Sequence, residues 1–135
     1  MDLSSAPAAL TIFLTTIGIS LYAFYGNQEV YGKLMLHPYS IVHDRQWYRF
    51  IGVGFVHADL AHLMFNMLTF YFFAFKLETM TGTMELIIIY FASMILSSVT
   101  TVIKNKDNFE YRAVGASGAI SGLLFSFILF APNAK

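Results

Sequence analysis

A serine set among small residues, Gly115-Ala116-Ser117-Gly118, opens the last apolar stretch of this chain. A serine hydroxyl becomes a nucleophile when a base takes its proton. The unpaired N–H groups at a helix start can bind negative charge developing on a carbonyl oxygen. Gly115 and Gly118 permit the close backbone approach that an extended peptide needs. An earlier segment, His57-Ala58-Asp59-Leu60-Ala61-His62-Leu63-Met64-Phe65-Asn66, carries a second polar group. His62 and Asn66 are four apart and project from one helix face. Polar groups in an apolar run are costly and turn toward a bundle interior. As donors to an oxyanion, each can contribute ~2.7–4 kcal/mol to a transition state.

Plainer roles exist for the same residues. A serine in a membrane helix bonds a carbonyl of its own helix, and Gly118 with Gly122 makes a small-xxx-small packing pair. His62 and Asn66 can each satisfy a neighbouring helix. His57 lies about 140° around a helix from His62, so it belongs to the turn before the helix, in a structural or interfacial role. His37 and His43 are expected at the surface of a long loop. Glu78, beside Lys76, is expected to cap or pair locally. Trp47 and Arg49 are read as interfacial anchors, with the arginine snorkelling outward. The histidine spacings match no zinc-binding pattern and no helix carries His-Glu-x-x-His, so neither a metal nor a cofactor is expected.

The elements that must position these groups are helices in a bilayer. The chain has 135 residues, enough for one domain, 1–135, and is 57% hydrophobic but only 12% charged. That composition leaves few polar residues to cover a soluble surface. Net charge is zero, so no basic surplus points to nucleic acid. The absence of cysteine excludes disulfides, zinc-thiolate sites and thiol nucleophiles. Met1 to Ser5 holds Asp2 and no Lys or Arg, unlike a signal peptide.

Four apolar runs are predicted as transmembrane helices, at about 6–25, 58–75, 86–103 and 117–131, the last stopped by Pro132. The stretch 26–56, with Trp47-Tyr48-Arg49, reads as a functional loop lying in the interface. The connection from Lys76 to Glu85 is short, and Asn105–Val114 is polar. The fourth run spans only ~22 Å, against a hydrocarbon core of ~30 Å. Ser117 is therefore expected below the near interface, in a recessed wet cavity, because irregular backbone at depth must be buried in protein or line water.

Taken together, these residues resemble the rhomboid intramembrane serine proteases. The resemblance rests on Trp47-Tyr48-Arg49 in the first loop, the His57, His62 and Asn66 spacing, Glu78 after it, and Gly115-Ala116-Ser117-Gly118. It implies an all-α polytopic bundle, Ser117 as nucleophile, and an oxyanion hole of His62, Asn66 and the Ser117 backbone N–H. It also implies transmembrane protein substrates, contact with membrane lipid, and a first loop lying sideways in the outer leaflet.

Two departures from that family pattern matter. The family core has six helices with its general base on the sixth, whereas this chain ends after the fourth and no histidine follows Ser117. The expectation is a fragment or cleavage product, inactive alone, with a C-terminal portion supplying helices five and six. Ser121 stands where many members carry an aromatic residue. Charge placement also conflicts. Lys33, Arg45, Arg49, Lys104, Lys106 and Arg112 favour cytoplasmic first and third connections, while the family topology puts these outside and is followed here. The rival reading is a non-catalytic rhomboid-like protein that binds membrane clients. A transporter or channel subunit finds little support, since no ionisable residue lies mid-span in the first, third or fourth run and His62 is the only such candidate in the second.

Overall fold

Pro7 opens the first long helix. Its fixed ring suits a first helical turn, where its missing N–H would be unpaired anyway. In the computed structural model, which describes residues 3–130, α1 runs Pro7–Leu21 and continues as a π-helical stretch over Tyr22–Gly26. Three short helices follow: α2 (Gln28–Leu34), α3 (Pro38–His43) and α4 (Arg49–Gly52). The long helices α5 (Leu60–Thr81) and α6 (Thr83–Asn105) come next, then the shorter α7 (Ser117–Phe130). Among the described residues there is no strand, only an isolated antiparallel bridge between Leu36 and Ala113. The fold is an all-α membrane bundle.

The spans differ from the sequence expectation at their ends. α1, α5 and α6 are long and apolar enough to cross a bilayer. α5 begins at Leu60 because the Asp59 carboxylate accepts the His62 N–H at 2.7 Å, so Asp59 is an N-cap outside the helix. It then runs on to Thr81, and α6 already begins at Thr83. The expected connection from Lys76 to Glu85 shrinks to Gly82, whose φ of +119° suits a residue without a Cβ. Charged side chains there made helical backbone read as loop. The stretch 26–56 is likewise no structureless loop, since three helices occupy it. Ala131, Pro132 and Lys135, like Met1 and Asp2, lie outside the described residues.

Aromatic rings tie three spans together. Phe13 of α1 packs against Phe70 and Phe75 of α5, with centroids at 6.1 and 5.8 Å. Phe70 meets Tyr90 of α6 edge-on at 5.5 Å. The α6–α7 pair uses small residues instead. A Cβ at Gly118 would overlap Ser97, and one at Gly122 would overlap Ser93. Lipid offers apolar contacts as good as another helix does, so close backbone approach is what holds such a pair. Large side chains such as Phe65, Phe72, Ile88, Leu96 and Phe125 remain on the outside.

Glu78 has a structural task that local pairing does not describe. It is buried near the end of α5, and its carboxyl oxygens accept the N–H groups of Ala8 (3.0 Å) and Ala9 (2.7 Å) at the start of α1. Thr83 adds its hydroxyl at 2.7 Å. Ala6, at the N-cap position, has no side chain able to do this. One carboxyl group thus caps α1 and joins it to the α5–α6 corner. Glu78→Ala should lower unfolding stability by about 2 kcal/mol, since one buried and one part-buried donor lose a partner. Thermal unfolding in detergent reads this directly, and an unchanged midpoint would refute the capping role.

Candidate functional site

The polypeptide entering α7 is fixed from three sides before it reaches Ser117. Leu36 and Ala113 exchange both backbone bonds, at 2.8 and 3.0 Å. The Gly115 N–H donates to the Val53 carbonyl at 3.0 Å. The Ala116 N–H points at His57 Nε2, 3.4 Å away. Irregular backbone is thereby given protein partners, the condition under which such backbone is tolerated at membrane depth. The φ of Gly115 is +109°, and a Cβ there would come within 2.7 Å of His62 Cε1. Glycine is required at this position both for backbone conformation and for room.

His57 is a buried connector, not an interfacial residue. Its Nε2 accepts from Ala116, so in the neutral ring Nδ1 carries the hydrogen. That hydrogen goes to Ser20 Oγ at 3.1 Å, and Ser20 donates in turn to the Phe55 carbonyl at 2.7 Å. The chain of donors runs one way and links α1 to the start of α7. A protonated ring would face its second N–H against that of Ala116. Burial, and secondarily the neighbouring His62, push the His57 imidazole down from 6.5 to about 4.

His62 and Asn66 meet, as their spacing implies. His62 Nε2 lies 3.5 Å from Asn66 Nδ2, at the outer limit of a hydrogen bond, and the His57 and His62 rings stand edge-on at 5.2 Å. His62 lies against Gly115, two residues before Ser117. The imidazole of α5 thus meets the backbone two residues before α7, with the Asn66 amide beside it. Ser117 is exposed, and α7 begins with it, so its N–H and those of Gly118 and Ala119 have no helical carbonyl to bond. Behind Ser117, a cavity of about 190 Å³ is lined by Ser97, Ser98, Thr101 and Tyr111 together with Gly115 and Gly118. An exposed hydroxyl and unpaired N–H groups at the edge of this hollow are the kinds of group that serve addition to a carbonyl.

Two expectations from sequence need correction. Arg49 does not snorkel outward. It is buried, donating to Gln46 Oε1 (2.7 Å) and to the carbonyls of Gly32 and Met35 (both 2.9 Å). The carbonyl ends of the short helix α2 left acceptors that a guanidinium can satisfy. Trp47, by contrast, is 59% exposed. His37, expected at the surface, is buried against the third connection, while His43 is exposed. Ser20 was missed altogether. The available signal was a polar residue inside an apolar span, one turn after Thr16.

A family profile described as the Rhomboid domain matches residues 44–135, which include His57, His62, Asn66 and Ser117. The chain belongs to the rhomboid family. Among similar proteins, YdcA of Bacillus subtilis is 37% identical over 89 residues, covering 66% of this chain and 43% of that protein. RHOMBOID-like protein 2 of Arabidopsis thaliana is 33% identical over 84 residues, 62% of this chain and 26% of the relative. Rhomboid protease GlpG of Yersinia pestis is 20% identical over 124 residues, 92% of this chain and 42% of the relative. This rhomboid chain thus spans less than half the length of these relatives. Its three long apolar helices and its family make it an integral membrane protein.

Two outcomes follow from this geometry. The unfolded chain protonates His57 near pH 6.5 and the native state only near 4, so between these values the unfolded state binds more protons. The His57 contribution is complete above 6.5 and is lost as pH falls toward 4. The stability advantage of wild type over His57→Asn should therefore shrink across that window in thermal melts. A constant difference would contradict the relay. Gly115→Ala should destabilise by about 1–3 kcal/mol through its strained φ and displace His62. A midpoint and a His62 NMR signal identical to wild type would exclude that clash.

Proposed function

We propose that this chain carries the nucleophile and oxyanion hole of a rhomboid-type serine endopeptidase that cleaves membrane proteins in or near their transmembrane segments. The observation that carries the reading is the seating of Gly115-Ala116 against His62 and His57, with α7 opening on exposed Ser117. Family membership and the names of the rhomboid protease relatives support it. In this reading Ser117 Oγ attacks the scissile carbonyl. The oxyanion accepts hydrogen bonds from the Ser117 N–H, His62 and Asn66. His57, Gly115 and Gly118 hold the backbone in place, while Glu78 and Arg49 brace the bundle and Trp47 anchors it in the interface.

The substrate enters as an extended strand. Ala113 spends both backbone groups on Leu36, so Val114 directs its N–H and carbonyl to the other side. No backbone group among the described residues takes them. A peptide added at that edge would run toward Ser117. Water reaches the acyl-enzyme from the polar hollow lined by Ser97, Ser98 and Thr101.

Serine needs a base, and no histidine follows Ser117 in the sequence. The base and the last two helices of the bundle come from a C-terminal portion, and residues 1–135 alone are inactive. In a bacterium the site of action is the inner membrane. The test compares the 135-residue chain with full-length protein carrying further helices. Full-length protein should cleave a transmembrane substrate, Ser117→Ala should abolish cleavage, and His62→Ala or Asn66→Ala should each reduce kcat on the order of 100-fold. Cleavage by the Ser117→Ala protein would refute the assignment.

A further inference from the structure

The first connection grips the third one well ahead of Ser117. His37 is only 4% exposed. Its Nε2 lies 2.7 Å from the Phe109 carbonyl oxygen, and its Nδ1 lies 2.6 Å from Ser40 Oγ. A carbonyl only accepts, so Nε2 carries the hydrogen, and in the neutral ring Ser40 donates to Nδ1. The Phe109 ring stands edge-on to His37 at 5.0 Å and to Tyr39 at 5.2 Å. The residue before His37 is Leu36, which holds Ala113 by two backbone bonds. Two consecutive residues therefore fix both ends of the segment 109–113.

We propose that His37 is a positioning residue for peptide binding: it clamps segment 109–113 so that the free strand edge at Val114 is held in register with Ser117. The proposal rests on the protease reading given above and adds a residue to it. His37 touches neither Ser117 nor the imidazole–amide pair, so its effect must pass through the backbone. Segment 109–113 has no helix or sheet of its own. Without the imidazole, the Phe109 carbonyl keeps only the longer bond from Arg112 at 3.2 Å, and beyond its own local turn bonds the segment is held chiefly by the Leu36–Ala113 bridge, an isolated pair of strand bonds that orders a loop poorly. Burial explains why a histidine suits the position. One ring supplies an aromatic face for Phe109, a donor for its carbonyl and an acceptor for the Ser40 that orients it.

The test uses full-length protein in lipid nanodiscs with His37→Leu, which removes the donor, and His37→Gln, which keeps an amide donor near the Nε2 position. Three readouts are taken: cleavage of a transmembrane peptide substrate, labelling of Ser117 by a small fluorophosphonate, and amide exchange at Ala113. A small probe needs no strand edge. For His37→Leu, kcat/KM on the peptide should fall on the order of tenfold, mainly through KM, while labelling stays within about twofold of wild type. Ala113 exchange should speed up, and His37→Gln should recover most of the lost cleavage. Unchanged cleavage in His37→Leu would overturn the proposal. Equal loss of labelling and cleavage would also overturn it, since that marks a general folding role. If wild type neither labels nor cleaves, the protease reading fails by itself. The exchange arm then still decides the clamp, because unaltered Ala113 protection in His37→Leu overturns it.

Discussion

The bond from the Ala116 N–H to His57 is the constraint on which the rest of this site depends. It is long, at 3.4 Å, but it begins a line of donors that runs through His57 and Ser20 to the Phe55 carbonyl. That line joins α1, the turn before α5 and the entry to α7. A buried N–H left unpaired is costly, so the backbone before Ser117 has one favourable placement. The same placement puts Gly115 under the His62 ring. A chain that must stay irregular just where it enters a membrane helix is held by hydrogen bonds from several elements at once.

Membrane packing explains the remaining architecture. Between spans the hydrophobic effect gives little preference for helix over lipid. Specific contacts therefore decide the arrangement: the Phe13, Phe70, Phe75 and Tyr90 rings, the close approach of Gly118 and Gly122 to serines of α6, and the Glu78 cap on α1. Charged groups inside the protein follow the same rule. Glu78 and Arg49 are both buried, and each finds backbone partners at helix ends, where unpaired N–H or carbonyl groups are available.

Much of this was legible in the sequence, for definite reasons. Helical spacing brings His62 and Asn66 together whatever surrounds them. Apolar runs of spanning length identified the helices, and the small residues around Ser117 marked a close crossing. What local pattern could not supply was partnership across the chain. Nothing near Glu78 announces that it serves residues 8 and 9, and nothing near His37 announces Phe109. Charges at Lys76, Glu78 and Glu85 mask helical backbone, because their polarity resembles that of a loop where it marks a helix end and a buried cap. Arg49 looks outward-facing in sequence for the same reason, as a long charged side chain whose carbonyl partners lie 14 and 17 residues away.

The central claim is that Ser117, its own N–H, His62 and Asn66 form one pocket for a reacting oxygen. The most direct measurement is an experimental structure of full-length protein after reaction with a fluorophosphonate. Phosphorus should be bonded to Ser117 Oγ, with the phosphoryl oxygen roughly 2.7–3.1 Å from the Ser117 N–H and within hydrogen-bond reach of His62 and Asn66. An adduct on another residue would contradict it, as would a phosphoryl oxygen directed away from His62 and Asn66 toward lipid.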